Sequence, residues 1–398
     1  SCLLLISSRK DISRAMAIKM FAVDRVGNLA LLFVLVAVYI SYDTIVFDEI
    51  FYVISIAQNV KLELLGSRLD ALTVLNTLLI FAAITKCAQI GFQRWFLEES
   101  LINPALITFI HLVSMSLAGV FILIRFSPMI ERTPNVLISL SIVGLLMSML
   151  LLIKALLCRD LGRTIVCLIF SQLGYIFVAF GSSAHIGGVF HFLNVSVTVA
   201  LLLFSSGALN PCIFPDMNQR KQVEYKNWPP IFYISASLGF LSLTGFPFLS
   251  AYYSGLTILE ASLRQNTSIG TFIFYASLLV IGMTAFLGFK ILLFIWHNAN
   301  GNKDEVNTKI NKVSWIFKMQ LIFLSSLTLF AGTVGFNTVF GDITSTFWGN
   351  IIPNQMILEK DLESIEKLSR INVPLIISSF CGIVIAYFLY VLKPELRI

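Results

Sequence analysis

Long apolar stretches separated by short polar segments are the dominant pattern of this sequence. Ten of them are long enough for a helix to cross a hydrocarbon core of about 30 Å, which needs about 20 residues. They centre near Val34, Leu79, Ser116, Leu145, Phe170, Ala200, Gly239, Leu279, Leu324 and Val384. A β-barrel would instead show short segments of alternating polarity. The pattern therefore predicts an all-α, polytopic membrane helix bundle of about ten transmembrane helices.

Two of these runs contain a helix-breaking interruption. Near Gly91 the second run gives way to polar residues, and near Gly245 and Pro247 the seventh run is broken, since proline removes a helix hydrogen bond. Broken helices beside ionisable groups are typical of ion-translocating transporters. Proline kinks also occur in inert membrane helices, so the second break alone leaves function open.

Composition and charge agree with a membrane class. Of the 398 residues, 57% are hydrophobic and only 13% are charged, which is too little polar surface for a water-soluble fold. The net charge is +6, and one set of alternate loops carries roughly twice the Lys and Arg of the other. This asymmetry places the N-terminus on the cytoplasmic or matrix side. Because no basic cluster exceeds ordinary loop anchoring, nucleic acid is not an expected partner.

Cofactor chemistry has no sequence signature here. The six cysteines are scattered, with no CxxC pair, which argues against an iron–sulfur cluster and favours buried helix-packing thiols. No Gly-rich nucleotide loop, GxSxG or HExxH motif is found. We expect no metal or prosthetic group in this chain.

Lys86 is the most informative single residue, because it lies within the apolar stretch from Leu72 to Phe92. An ammonium at bilayer depth costs at least about 2.5–3.5 kcal/mol unless it faces the bundle interior or a wet cavity. Burial disfavours its charged form and a nearby carboxylate favours it, so movement of a carboxylate would switch the proton. The alternative is a side chain that snorkels to a helix end. His111 follows in the next run, as a proton relay or as a helix–helix hydrogen-bonding group.

Four segments carry a resemblance to a known family. AIKMFAVDRVGN from Ala17 resembles the motif AxKAFxxxRVGD, and VFHFLNV from Val189 resembles IFHLxTH. TKCAQIGFQRWF from Thr85 with the later FIHLVSMSLAGV, and GRTIVCLIFSQLGYIFVAFG from Gly162, are similar to motifs of the same proteins. These are the subunit 5 family of NADH dehydrogenase, antiporter-like membrane subunits of respiratory complex I. The similarity spans roughly residues 1 to 300, in the family's order.

The resemblance implies roles for individual residues. Lys86 would be the switching lysine of the first half-channel, and His111 would relay protons onward. His191 matches a family histidine, with relay and packing both open. Arg25 falls on the RVG arginine and is expected to pair locally with Asp24 at a helix start, as an anchor.

Other positions carry weaker expectations. Glu98 matches a family acid but could simply cap a loop. Gln172 and Tyr175 are expected to form interhelical hydrogen bonds, and Lys290 is expected to snorkel. His185 and His297 are placed in loops.

The resemblance also implies an assembly. The chain would be a translocase subunit of NADH:ubiquinone oxidoreductase in the mitochondrial inner membrane, with NADH, flavin, iron–sulfur clusters and ubiquinone elsewhere in the complex. Expected partners are other membrane-arm subunits, especially the subunit 4-like neighbour, accessory subunits and lipids. Only the family's sixth to fifteenth helices are matched. We therefore expect a separate polypeptide to supply the earlier helices and their membrane glutamate.

The second half of the family pattern is eroded. Val199 and Val195 stand where the family has a central lysine and a histidine, and residues 255–257 read GLT in place of lysine and two acids. The second half-channel is therefore expected to be degenerate. In the first half, the GPTP turn that precedes His111 is also eroded, to the INPA of residues 102–105. A subunit that pumps through Lys86 and His111, a proton-inactive structural subunit, and a cation/proton antiporter subunit of the same fold all stay open.

The domain prediction has three parts. Residues 1–338 form the antiporter-like bundle, corresponding to family helices six to fourteen. Residues 339–371 form an exposed loop with a short amphipathic helix, and residues 372–398 form the last transmembrane helix.

Overall fold

The computed structural model describes residues 11–56, 60–64, 67–87, 116–158, 161–205, 230–297, 315–340 and 362–392. Within these residues nearly all of the chain is helical. The helices are α1 (Asp11–Tyr42), α2 (Phe47–Ile56), α3 (Ala71–Lys86), α4 (Leu117–Arg125), α5 (Ser127–Ile130), α6 (Pro134–Leu157), α7 (Leu161–Gly181), α8 (His185–Ser205), α9 (Pro230–Leu243), α10 (Ser250–Arg264), α11 (Ser268–His297), α12 (Trp315–Phe340) and α13 (Leu362–Tyr387), which continues into a π-helix (Phe388–Leu392).

The predicted all-α membrane bundle is confirmed. Seven helices of the described residues are long and apolar enough to cross a membrane. Two shorter apolar helices, α3 and α9, accompany them. The spans are Phe21–Tyr42, Pro134–Leu157, Thr164–Gly181, His185–Ser205, Ser268–Leu293, Trp315–Val334 and Ile371–Leu392. All ten predicted run centres fall in helices or, for Ser116, immediately before one.

The centre of the bundle is α7. Its residues from Thr164 to Gly181 are all buried, whereas α1, α12 and α13 expose broad apolar faces. A helix that is apolar on all sides and enclosed by its neighbours is the expected core of a membrane bundle. The helices of the periphery therefore present their apolar surface to lipid or to other subunits.

A short hairpin, absent from the prediction, leads into α3. Strand β1 (Lys61–Leu64) pairs antiparallel with β2 (Ser67–Asp70), with Lys61 opposite Asp70. Asp70 then caps α3, since its carboxylate accepts a 2.9 Å hydrogen bond from the Thr73 backbone N–H. The hairpin thus fixes where α3 begins.

The second predicted break is confirmed between α9 and α10. Gly245 and Phe248 both have a φ of 71°, a left-handed conformation that ends the helix. Ser379 of α13 donates to the freed Thr244 carbonyl at 2.9 Å, and the Ser242 and Ser250 hydroxyls meet across the break at 3.0 Å. The neighbouring helix thus satisfies a backbone group that the break leaves unpaired in the membrane. The predicted break near Gly91 lies outside the described residues.

The C-terminal helix is continuous across one predicted boundary. α13 runs through residues 371 and 372, with Pro374 inside it. The division of the chain into three domains stays a prediction, and its second boundary falls within this helix.

Candidate functional site

Lys86 is the last residue of α3, and its side chain turns inward against α1. The helix ends at Cys87, whose backbone N–H still donates to the Ala83 carbonyl. The Lys86 ammonium forms an ion pair with the Asp24 carboxylate. Only 12% of the Lys86 side chain is exposed. The snorkelling alternative is therefore wrong for this residue.

Asn28 completes the contacts of Lys86. The ammonium donates to Asn28 Oδ1 at 2.6 Å, and Asn28 Nδ2 donates to the second Asp24 carboxylate oxygen at 3.1 Å. Asp24 and Asn28 are four residues apart on α1, so they lie on one face of the helix. The three side chains form a closed network in which the amide holds the carboxylate in place for the ammonium.

The depth of this network is set by its two helices. Asp24 lies one turn inside the end of the span Phe21–Tyr42, and its side chain is 20% exposed. Lys86 lies fifteen residues after Ala71, or about 22 Å along the helix at 1.5 Å per residue. The pair is therefore mostly buried and lies close to the end of the bundle at which α1 enters the apolar span.

Two glycines let the neighbouring helices approach Lys86. A Cβ at Gly27 of α1 would collide with the Thr85 hydroxyl, and one at Gly119 of α4 would lie 2.5 Å from Cys87 Sγ and 3.3 Å from Lys86 Cβ. Small residues at such crossings bring membrane helices into close contact. Gly27 and Gly119 thus hold α3 between α1 and α4 at the level of the ion pair.

Gly27→Ala is expected to destabilise this crossing by about 1–3 kcal/mol, the usual cost of forcing extra atoms into a packed core. Thermal unfolding of the purified particle measures the loss. The double substitution Gly27→Ala with Thr85→Ala removes the hydroxyl that the new methyl group meets, so it should recover most of the stability. Native stability of the single variant would show that the helices do not pack this closely.

The predicted ion pair between Asp24 and Arg25 is not the contact that forms. The helix starts at Asp11, so both residues lie within α1, and Asp24 turns toward Lys86. Arg25 is exposed and places its guanidinium 4.3 Å from the centroid of the Phe21 ring. Successive helical residues point about 100° apart, so these two neighbours face different surroundings.

His191 occupies a second buried polar position, in α8. Its Nδ1 lies 2.8 Å from Ser254 Oγ of α10, and its ring packs edge-on against Tyr175 of α7. The side chain is 2% exposed, and Nε2 has no hydrogen-bond partner among the described residues.

The predicted interhelical hydrogen bond of Gln172 is confirmed, since it donates to Thr284 Oγ1 of α11 at 3.3 Å.

His185 pairs with an acid, which the sequence did not indicate. It begins α8 and is 5% exposed, and its Nε2 lies 2.7 Å from Glu131 Oε1 in the turn between α5 and α6. The loop assignment is wrong for His185 and also for His297, the last residue of α11. The two partners are fifty-four residues apart, and no local pattern links them.

The other predicted site residues lie outside the described residues. His111 and Glu98 both belong to residues 88–115, together with the eroded INPA turn. The relay role of His111 and the match of Glu98 to a family acid stay predictions. Among the residues that the structure describes, no group of three or more His, Cys, Asp or Glu side chains could hold a metal ion.

Comparison with known proteins decides the family. Residues 1–280 match the transmembrane family described as "NADH:quinone oxidoreductase/Mrp antiporter, TM". The chain belongs to this family. The predicted resemblance to NADH dehydrogenase subunit 5 and its antiporter-like fold is confirmed.

Curated members of the NADH:quinone oxidoreductase/Mrp antiporter family support the subunit 5 resemblance. The NADH-ubiquinone oxidoreductase chain 5 of Triticum aestivum is 30% identical over 375 residues, which is 93% of this chain and 55% of that protein. The same protein of Chondrus crispus is 31% identical over 84% of this chain and 51% of its own length. The chain thus spans about half the length of the curated relatives it matches.

A solved structure shares the fold of this chain. The Mrp complex from Dietzia sp. DQ12-45-1b superposes with a TM-score of 0.70 at 19% identity, over 99% of this chain and 42% of that chain. This similarity shows that the two chains share a fold, and it concerns the fold alone.

Proposed function

We propose that this chain is a membrane-arm subunit of NADH:ubiquinone oxidoreductase, and that Lys86 switches a proton within it. The single observation that carries the proposal is the network of Lys86, Asp24 and Asn28. An inert scaffold of this family would have no need to keep an ammonium and a carboxylate in a desolvated helix crossing, where each costs free energy unless it is paired.

Charge pairing gives the network its chemistry. The Asp24 carboxylate contacts the Lys86 ammonium and compensates its charge within the helix crossing. In the proposed cycle, loss of the contact with Asp24 leaves the ammonium without its anion, and its proton passes to His111, the relay that the family resemblance implies. Return of the carboxylate to the amine favours uptake of a new proton by Lys86. One proton crosses this position in each cycle, and Lys86 is the group that carries it.

The carboxylate partner proposed for Lys86 belongs to this chain. The family motif RVGD has an acid where this chain has Asn28, and Asp24 stands one helical turn earlier. Both positions contact the ammonium. An acid at either position would therefore serve Lys86, so a carboxylate moved by one turn keeps its function. A separate polypeptide with a further membrane glutamate remains a prediction.

We propose that the second half of the bundle keeps few of the family's proton-carrying side chains. Val199 and Val195, at the family's lysine and histidine positions, are fully buried. His191 with Ser254 is the titratable group that remains at this level of α8. This replacement of charged groups by valine favours a structural role for that half, which is the second candidate function.

The setting of the chain follows from the same proposal. It would reside in the mitochondrial inner membrane, as part of a translocase whose NADH, flavin, iron–sulfur and ubiquinone sites lie in other subunits. Its partners would be membrane-arm neighbours, foremost a subunit 4-like chain, together with accessory subunits. The multisubunit cation/proton antiporter stays the alternative of the same fold.

Purification of the native particle in mild detergent tests the assembly. We expect NADH-to-quinone activity to co-migrate with this chain, and mass spectrometry to identify other membrane-arm subunits in the same particle. A particle that contains this chain and antiporter subunits but neither oxidises NADH nor contains flavin would contradict the proposal.

A further inference from the structure

An apolar groove of about 510 Å³ runs along the outside of the bundle. It lies between α6, α11 and α13, with the π-helix closing one end. Its wall is formed largely by aliphatic side chains. These include Ile153, Leu156, Leu278, Leu279, Met283 and Ile385.

The groove extends over about one leaflet of a bilayer. On α11 it reaches from Leu278 to Lys290, and on α13 and the π-helix from Ser378 to Tyr390. Twelve residues of helix span about 18 Å, whereas half of a 30 Å hydrocarbon core is about 15 Å. The Ser378 hydroxyl donates to the Leu278 carbonyl at 2.5 Å, which joins the two helices at the inner end.

The other end of the groove is polar and positively charged. Lys290 lies three residues before the end of the apolar span Ser268–Leu293, where the headgroups of a bilayer are expected. Its ammonium donates to the Leu156 carbonyl at 3.1 Å and lies 5.5 Å from the centroid of the Tyr390 ring. An ammonium has three donors, so two remain for a ligand. Among the described residues that line the groove, Lys290 alone is charged.

We propose that this groove binds one anionic glycerophospholipid, with an acyl chain along α11 and α13 and the phosphate at Lys290. The apolar length, the headgroup-level cation and the neighbouring tyrosine match the three parts of such a lipid, and basic pockets between transmembrane helices bind anionic headgroups. An apolar helix of another subunit fits less well, because it would leave the Lys290 ammonium without an anion. In this proposal Lys290, which the sequence predicts to snorkel, binds a lipid phosphate.

Lipid exchange into the purified native particle tests the site. After removal of native lipid, phosphatidylglycerol or phosphatidylcholine is added, and bound lipid is measured by native mass spectrometry. We expect phosphatidylglycerol to be retained preferentially, and Lys290→Met to lower this preference roughly fivefold. Lys154→Met is the matched control, because Lys154 is an exposed lysine in the last turn of α6 that does not line the groove.

A second variant tests the groove itself. Cys381 is exposed on the groove wall, so Cys381→Trp should fill the space and release the bound lipid whatever its charge. Equal retention of both lipids by the native particle, or unchanged retention in both variants, would overturn the proposal. Cross-linking of Cys381 to a neighbouring subunit would also overturn it, in favour of a protein occupant. These readouts are independent of proton pumping, so the lipid site and the role of Lys86 can fail separately.

Discussion

Lys86→Met is expected to lower NADH-driven proton pumping severalfold in an assembled complex. Methionine keeps an unbranched chain at the end of α3 but cannot carry a proton. The variant also leaves the Asp24 carboxylate without its cation. Breaking a fully buried pair in this way costs about 3–5 kcal/mol. Because both side chains are partly exposed, we expect the free energy of unfolding to fall by about 3 kcal/mol or less.

Proton uptake and NADH oxidation, measured together in proteoliposomes, check this result. Lys154→Met provides the same chemical change at an exposed lysine of α6 and should pump normally. Asp24→Asn in the Lys86→Met background should restore part of the lost stability without restoring pumping, because it removes the uncompensated charge. A native pumping rate in the single variant would show that Lys86 is not on a proton path.

Two substitutions can move the carboxylate along α1 by one helical turn, from residue 24 to the family's position at residue 28. Asp24→Asn alone is expected to reduce pumping nearly as much as Lys86→Met, since the ammonium then has two amides beside it and no anion. The double variant Asp24→Asn with Asn28→Asp restores an acid at the RVGD position, 2.6 Å from Lys86 in the present geometry of Asn28. We expect it to regain most of the native pumping rate.

The control for this exchange is Asn28→Asp alone. It places two acids beside one ammonium, so the second carboxylate gains little from Lys86 and is repelled by the first. It should therefore bind an extra proton and pump less well than the double variant. If the double variant pumps no faster than Asp24→Asn, the carboxylate must stand at residue 24, and a negative charge beside Lys86 is not sufficient.

Much of the architecture follows from the hydrophobic pattern. Apolar runs of about 20 residues must form helices in a bilayer. Pro247 marks the broken helix because it lacks a backbone donor, and Gly245 adopts the left-handed conformation found there without steric cost. Lys86 was recognisable as a candidate by its isolation within an apolar run. These features depend on local sequence and need no knowledge of which helices meet.

The partners of the polar residues could not be predicted in the same way. Asp24 and Lys86 are sixty-two residues apart, and the resemblance directed attention to a glutamate in another polypeptide. The adjacent Arg25 offered a nearer but incorrect partner for Asp24. His185 and Glu131 likewise meet only because α8 returns to the turn before α6. Such pairs depend on the packing order of the helices, which hydrophobic periodicity does not specify.

Lys86→Arg tests the central claim most directly. Arginine keeps the positive charge and pairs well with a carboxylate, but it does not release its proton under physiological conditions. The measurement is the rate of proton translocation, with the rate of NADH oxidation, by the purified complex in proteoliposomes. If Lys86 switches a proton, the variant assembles with stability closer to native than Lys86→Met and yet pumps as poorly. If the lysine only holds α1 and α3 together, Lys86→Arg pumps at the native rate.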